Sequence, residues 1–359
     1  MNILGISAFY HDSAACLVRD GQIIAAAQEE RFSRRKHDAR FPIHAVNFCL
    51  AEGKVEKNGI DVVAYYEKPI TKFVRILKSH FVSAPQNWEA FRQAIPLWLK
   101  ERLWLPYVIE TELHRLGFAP PRKFVYPEHH QSHQASAFFP SPFPSAAILT
   151  ADGVGEFDTT TIGKGQGNAV SLLWQQQFPH SLGLLYSAFT YHAGFKVNSG
   201  EYKLMGLAPY GRPTFTDRIY QHLVDLRPDG SFRLNMKYFG FLHELHMTNQ
   251  AFADLFGGPA RAPESEITQR EMDLARSIQV VTEEIMLRMA RAARRLTSEE
   301  NLCLAGGVAL NCVANGVIAR SKTFRNIWIQ PAAGDAGGAL GAALFAWHQV
   351  ANQPRTCES

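Results

Sequence analysis

The sequence predicts an α/β protein built as two related lobes. Three observations carry this expectation. Short apolar, β-rich runs alternate with stretches of helical periodicity along the chain. A strand–hairpin unit at the N-terminus is echoed by a second one opening at Ala146. Hydrophobic residues make up 46% and charged residues 19% of 359 positions, enough to bury a large core in two units of ordinary size.

Met1 to Ser7 (MNILGIS) reads as a buried strand that ends near the turn Phe9-Tyr10-His11-Asp12. Ala14 to Val18 is a second strand, Asp20-Gly21 a two-residue hairpin signal, and Gln22 to Gln28 the return strand. Ile60 to Tyr66 is strand-like, and a helical region surrounds Trp98 to Leu116. Ala146 to Thr150 then repeats the apolar strand, Asp152 to Gly155 the loop, and Thr159 to Ile162 the next strand. Gly163 to Gly167 (GKGQG) reads as the turn and Ala169 to Gln175 as the return. The echo is one of pattern more than identity. It places the lobes at residues 1–140 and 141–359, with the C-terminal helix a candidate to pack back on the first.

Thr268 to Arg295 is the clearest helix. Thr268 to Glu271 fits a capping box, and Met272, Ala275, Ile278, Val281, Ile285, Met289 and Ala292 form one apolar stripe. It leads to a short strand, Leu302 to Ala305, and then to Gly306-Gly307. Gly338 to Ala351 is a final helix of small residues.

A formal net charge of +4 is too weak to make nucleic acid or an anionic membrane the main partner. The densest basic cluster, Arg31 to Lys36 (RFSRRK), reads as a solvated loop, with an anionic ligand as the alternative. The cysteines Cys16, Cys49, Cys303, Cys312 and Cys357 are odd in number and form no C-x-x-C pair, so a reducing cytoplasm is expected. The N-terminus lacks the pattern of a signal peptide, and no apolar run reaches the length of a membrane span.

The chemistry concentrates in a few segments. His129 and His133 stand at helical spacing, so both imidazoles share one face and can grip one metal ion. Asp152 and Asp335 lie in Gly-rich segments, and with the histidine pair present both read as ligands. Mixed nitrogen and oxygen donors suit Zn²⁺ or Fe²⁺ without choosing between them. His130 occupies the position where a zinc protease carries its base, which excludes that mechanism. Gly306 to Asn311, between a strand and a helix, could cradle a nucleotide. His11 could serve as a general base or bond the backbone of its turn. Gly200 to Gly211 reads as a functional loop and helix start, in which Glu201 and Lys203 bind substrate or form an ion pair. The aromatic stretch Trp88 to Tyr107 reads as buried helical core, or as part of a substrate pocket.

Several of these segments resemble the NodU/CmcH carbamoyltransferases. They are Gly5 to Ala15 (GISAFYHDSAA), Glu29 to Phe32, His129 to Ala137, Asp152 to Glu156, Gly200 to Gly211, Gly306 to Asn311 and Gly334 to Gly338. Together they cover essentially the whole chain. The resemblance implies a two-lobed actin-like, sugar-kinase-like (ASKHA) fold. It implies a divalent metal, Fe²⁺ ahead of Zn²⁺, on His129, His133, Asp152 and Asp335. It makes His11 the base, and Gly153, Gly155, Gly306, Gly307, Asn311 and Gly334 the carbamoyl-adenylate site, with Mg²⁺ as a further candidate ion beside ATP.

The implied reaction moves a carbamoyl group from carbamoyl-adenylate, made from carbamoyl phosphate and ATP, to a hydroxyl of a sugar or natural product. Family members usually continue into a YrdC-like domain that makes the adenylate. This sequence stops soon after its last helix, which leaves three alternatives: a separate YrdC-like partner makes the adenylate, the sequence is a truncated product, or its role has changed. Two other readings compete: an ATP-dependent kinase or ATPase of the same fold, and a non-catalytic subunit of a split transferase. The histidine pair argues against the first, since Mg²⁺ prefers oxygen ligands.

Overall fold

The computed structural model describes residues 1–84, 87–100, 102–242 and 246–355. Cys357, counted above, lies outside them.

The first sheet has five strands in the order β3-β2-β1-β4-β5. They are β1 (Asn2–Ser7), β2 (Ala14–Arg19), β3 (Gln22–Gln28), β4 (Val62–Tyr65) and β5 (Lys123–Val125). β1 pairs antiparallel with β2 and parallel with β4. Asp20 and Gly21 turn the hairpin with φ of 49° and 84°, the left-handed pair that a tight two-residue turn needs. Helices α1 (Glu30–Ser33), α2 (Ile43–Glu52), α3 (Pro69–Ser83), α4 (Trp88–Lys100), α5 (Leu105–Arg115) and α6 (His129–Phe138) belong to this half of the chain.

The second sheet repeats the plan. β6 (Ser145–Ala151), β7 (Asp158–Gln166) and β8 (Ala169–Gln177) form the antiparallel meander. After a small pair, β9 (Val224–Leu226) and β10 (Phe232–Leu234), β11 (Asn301–Ala305) and β12 (Asn326–Ile329) add in parallel beside β6. Read from β8, the order is β8-β7-β6-β11-β12, the same topology as the first sheet. This duplicated hairpin-plus-parallel arrangement is the two-lobed actin-like plan expected from the sequence. The remaining helices are α7 (Leu182–His192), α8 (Glu201–Leu207), α9 (Thr216–Arg218), α10 (Gln250–Leu255), α11 (Gln269–Thr297), α12 (Cys312–Arg320) and α13 (Ala336–Phe345).

Two apolar cores form. One gathers β1, β2, β4, α2 and α5; the other gathers β6, α7, α11 and β11. α11 carries the expected capping box at Thr268 and Glu271, and its stripe from Ala275 to Ala292 is buried. α13 packs on α6, β1, β2 and β4, so its residues join the first core. Close contact is possible because Gly341 meets the Ser132 carbonyl of α6 with no side chain between.

Two sequence expectations change. Gly163 to Gln166 is strand, not turn; the chain reverses at Gly167 and Asn168. Gly163 and Gly165 are placed in the strand because Gln134 and Phe138 of α6 pack directly on them. The aromatic stretch is no buried core: Trp88, Trp104 and Tyr107 are exposed by 65%, 60% and 70%.

Candidate metal and transfer site

α6 begins where Glu156 reaches its N-terminus. This buried carboxylate accepts the backbone N–H groups of Lys68 (2.7 Å) and His129 (3.1 Å). Glu128 and Gln131 close a capping box on the same turn. These contacts satisfy orphan donors and fix where the first turn points.

One turn apart, His129 and His133 aim their Nε2 atoms inward, 3.0 Å from each other. Asp152, just beyond β6, brings its Oδ2 to 2.9 Å from His129 Nε2 and 3.1 Å from His133 Nε2. Asp335, preceding α13, places Oδ1 3.6 and 3.7 Å from the same two nitrogens. The four ligand atoms lie within 4.8 Å of one another. The other oxygen of Asp335 is buried and has no hydrogen-bond partner. Two imidazoles and two carboxylates converging so tightly, with a buried oxygen left over, fit a divalent cation.

The electrostatics agree. Burial opposes charge on His129, but Asp335 and Asp152 outweigh it and raise the proton affinity of the imidazole well above the ordinary range. Burial likewise opposes ionisation of Asp152, while its bonds to His129 and His133 hold its carboxyl well below the usual value. The cluster is thus built to hold positive charge. His130 behaves oppositely: burial, then the two neighbouring imidazoles, keep it neutral. Its Nε2 donates to the Asp158 carbonyl (2.9 Å) and its Nδ1 accepts from the Thr150 hydroxyl (2.7 Å), a structural role.

Behind the ligands, Glu67 Oε2 lies 3.7 Å from His129 Nδ1. Burial disfavours the Glu67 charge, yet the Lys72 ammonium at 2.6 Å holds its carboxyl down at about 2.

A cavity of about 300 Å³ opens beside the cluster. His11, Asp152 and Asp335 face it from the ligand side, and Tyr10, Lys36 and Tyr202 also line it. Asp152 Oδ1 accepts the Gly307 N–H at 3.1 Å, which ties the loop after β11 to the ligand cluster. His11 Nδ1 bonds Asp12 Oδ2 at 2.9 Å, and its Nε2 lies 3.6 Å from Asp335 Oδ2. Burial disfavours the imidazolium of His11, but Asp335 and Asp12 prevail and raise it to about 9.

The chain has known relatives. A family model described as "Carbamoyltransferase N-terminus" matches residues 2–344. The chain belongs to this carbamoyltransferase family. It is 57% identical over 357 residues to the uncharacterized protein sll1178 of Synechocystis, covering 99% of this chain and 58% of that protein. It is 36% identical to nodulation protein NolNO of Sinorhizobium fredii, over 94% of this chain and 46% of the relative. It is 26% identical to nodulation protein U of Bradyrhizobium diazoefficiens, over 96% and 61%. The chain spans about half the length of these relatives.

The predicted site residues take different places. His11, Asp152, Gly153, Glu201, Gly307, Asn311, Gly334 and Asp335 line the cavity. Gly155 and Gly306 do not; each is glycine because of close packing. A side chain on Gly155 would strike the His129 ring, and Gly306, at φ 88°, lies against the Ala151 backbone. The N–H groups of Gly155 and Gly306 are taken by the carbonyls of Asp158 and Ala333.

Asn311 spends its amide inside the protein. It exchanges bonds with Gln279 (3.1 and 3.0 Å) and caps α12 through Ala314 N–H (3.0 Å). Glu201 and Lys203 form no ion pair with each other. Glu201 accepts from Ser187, from Asn198 N–H and from Gly200 N–H, which shapes the loop entering α8. Lys203 points elsewhere, with Nζ 6.0 Å from the centre of the Phe195 ring. The cation at the cavity is Lys36, 4.5 Å over the Tyr202 ring. Sequence reasoning missed Glu67, Glu156 and Tyr202. Lys36 was signalled only by the basic run that ends with it.

Proposed function

We propose that this chain is the transferase part of an O-carbamoyltransferase. It moves a carbamoyl group from carbamoyl-adenylate to a hydroxyl of a sugar or other natural product. The observation that carries this reading is the convergence of His129, His133, Asp152 and Asp335 at the wall of a cavity that also holds His11.

His129, His133, Asp152 and Asp335 would hold a divalent cation, which supplies Lewis-acid stabilisation of anionic phosphate and carbonyl oxygens. Mixed imidazole and carboxylate donors of this kind would suit Fe²⁺ or Zn²⁺.

The rest falls to the protein. The cavity takes the adenylate, with Gly307 and Gly153 allowing close backbone approach. The acceptor oxygen attacks the carbamoyl carbon, the bond from that carbon to the phosphate oxygen breaks, and AMP leaves. His11 Nε2 takes the hydroxyl proton. Asp335 and Asp12 strengthen its hold on a proton, which suits an acceptor once the charge of the ligand carboxylates is compensated.

Carbamoyl-adenylate itself is the test substrate. The metal-loaded chain should release AMP from it, faster when a hydroxyl acceptor is present. A chain that releases none while retaining its metal contradicts the reading. Supplying ATP and carbamoyl phosphate instead, and measuring pyrophosphate, shows whether the chain also activates carbamoyl phosphate or takes the adenylate from a YrdC-like partner.

A further inference from the structure

His11, Asp12 and His37 line the cavity as one hydrogen-bonded chain, which extends past the base to a residue, His37, that the reaction above does not use. His37 Nδ1 bonds Asp12 Oδ1 at 2.7 Å, and Asp12 Oδ2 bonds His11 Nδ1 at 2.9 Å. The His37 backbone N–H in turn donates to Glu30 Oε2 at 2.9 Å, which anchors the loop to α1. One carboxylate therefore bridges two imidazoles, each on its own oxygen.

The backbone is built for this. Asp12 and His37 both adopt left-handed conformations, with φ of 53° and 56°. Non-glycine residues pay strain to sit there, and such strain collects where side-chain placement is over-determined. The far nitrogen of His37, Nε2, is buried and unpartnered, so the ring is fixed through Nδ1 alone.

The geometry points to His37 and Asp12 as positioning residues for His11. Asp12 is an acceptor only, so a neutral His11 must carry its proton on Nδ1. Its Nε2 lone pair is then left at the cavity wall, 3.6 Å from Asp335 Oδ2, where a base can meet the acceptor hydroxyl. His37 holds Asp12 in the rotamer that enforces this, as the third group orients the base in nucleophile–base–acid constellations. The inference rests on the base role proposed for His11, but its central observable is the His11 tautomer, which exists without any turnover.

The test uses the zinc-loaded chain, nitrogen-15 labelled at histidine, above the titration of His11. Wild type should show His11 with Nδ1 protonated and Nε2 bare. His37→Asn keeps a donor in the place of Nδ1, His37→Gly removes it, and both residues tolerate positive φ. Asn should preserve the wild-type tautomer; Gly should give a mixture. On carbamoyl-adenylate, His37→Gly should lower kcat for AMP release about ten- to a hundredfold with KM unchanged, and His37→Asn should restore most of it. A His11 protonated on Nε2 in wild type, or a tautomer unmoved by His37→Gly, overturns the inference. So does a second zinc ion lost on His37→Gly, since Asp12, Glu30 and His37 would then be ligands. An intact tautomer with no AMP release would instead count against the transferase reading alone.

Discussion

His129 and His133 face each other with their Nε2 atoms 3.0 Å apart, and one oxygen of Asp152 lies 2.9 and 3.1 Å from them. Three donors so close carry mutual repulsion between lone pairs unless protons or a cation lie between them. The protein should therefore bind one divalent ion per chain, measured by elemental analysis. The double variant His129→Ala/His133→Ala should lose it almost completely. Stripping the ion should lower the melting temperature, because a ligand bound only to the folded state stabilises it.

Glu156 should be the most sensitive residue outside the ligands. It accepts the Lys68 N–H just before α3 and the buried His129 N–H at the start of α6, and removing it leaves both without that acceptor. Glu156→Ala should cost about 2–4 kcal/mol in denaturant melts. Metal affinity should fall about ten- to a hundredfold, since α6 loses its anchor. Glu156→Gln keeps one acceptor and should cost less on both counts.

Gly341→Ala tests the seam between α13 and α6. A methyl there would be forced into the Ser132 carbonyl, in the turn that carries His129 and His133. The substitution should destabilise the protein by about 2 kcal/mol or more, read by thermal melting, although it improves helix propensity. Metal content should drop with it.

His192 should make the protein acid-sensitive. Its ring is fully buried, 4.8 Å from Phe252. Burial, then the Arg270 charge, push its proton affinity down to about 4. Because the folded value lies below the unfolded one, this contribution is whole above about pH 6.5. It declines as pH falls and is gone below about 4, by about 3 kcal/mol in all. Between pH 7 and 4, His192→Leu should lose less stability than wild type by that amount, in urea melts at each pH. Parallel curves for the two proteins would show that His192 does not carry the effect.

Much of the plan was legible because it is written in local signals. Asp20-Gly21 names its own turn, the stripe of α11 names its buried face, and His129 and His133 declare a shared face by spacing alone. What could not be read depends on distant packing. Gly163 and Gly165 look like a turn, but they are glycines because Gln134 and Phe138 cross the strand there. Glu67 meets the site from a segment with no motif around it, while Glu156 and Tyr202 stand in motif segments where nothing local says what they reach. Asn311 and Glu201 stand in segments that look like binding loops, yet their polar atoms are consumed by Gln279 and by the turn at Asn198. Pattern places a residue near a site; only the fold shows what its polar atoms are already bonded to.

The most direct test of the account is AMP release from carbamoyl-adenylate by the metal-loaded chain, beside the variants His11→Ala and His129→Ala/His133→Ala. The account predicts release by wild type, loss of about 10²–10⁴-fold without the His11 base, and loss of both metal and release without the histidine pair. Full release by the pair variant, or none by a metal-loaded wild type, would contradict it.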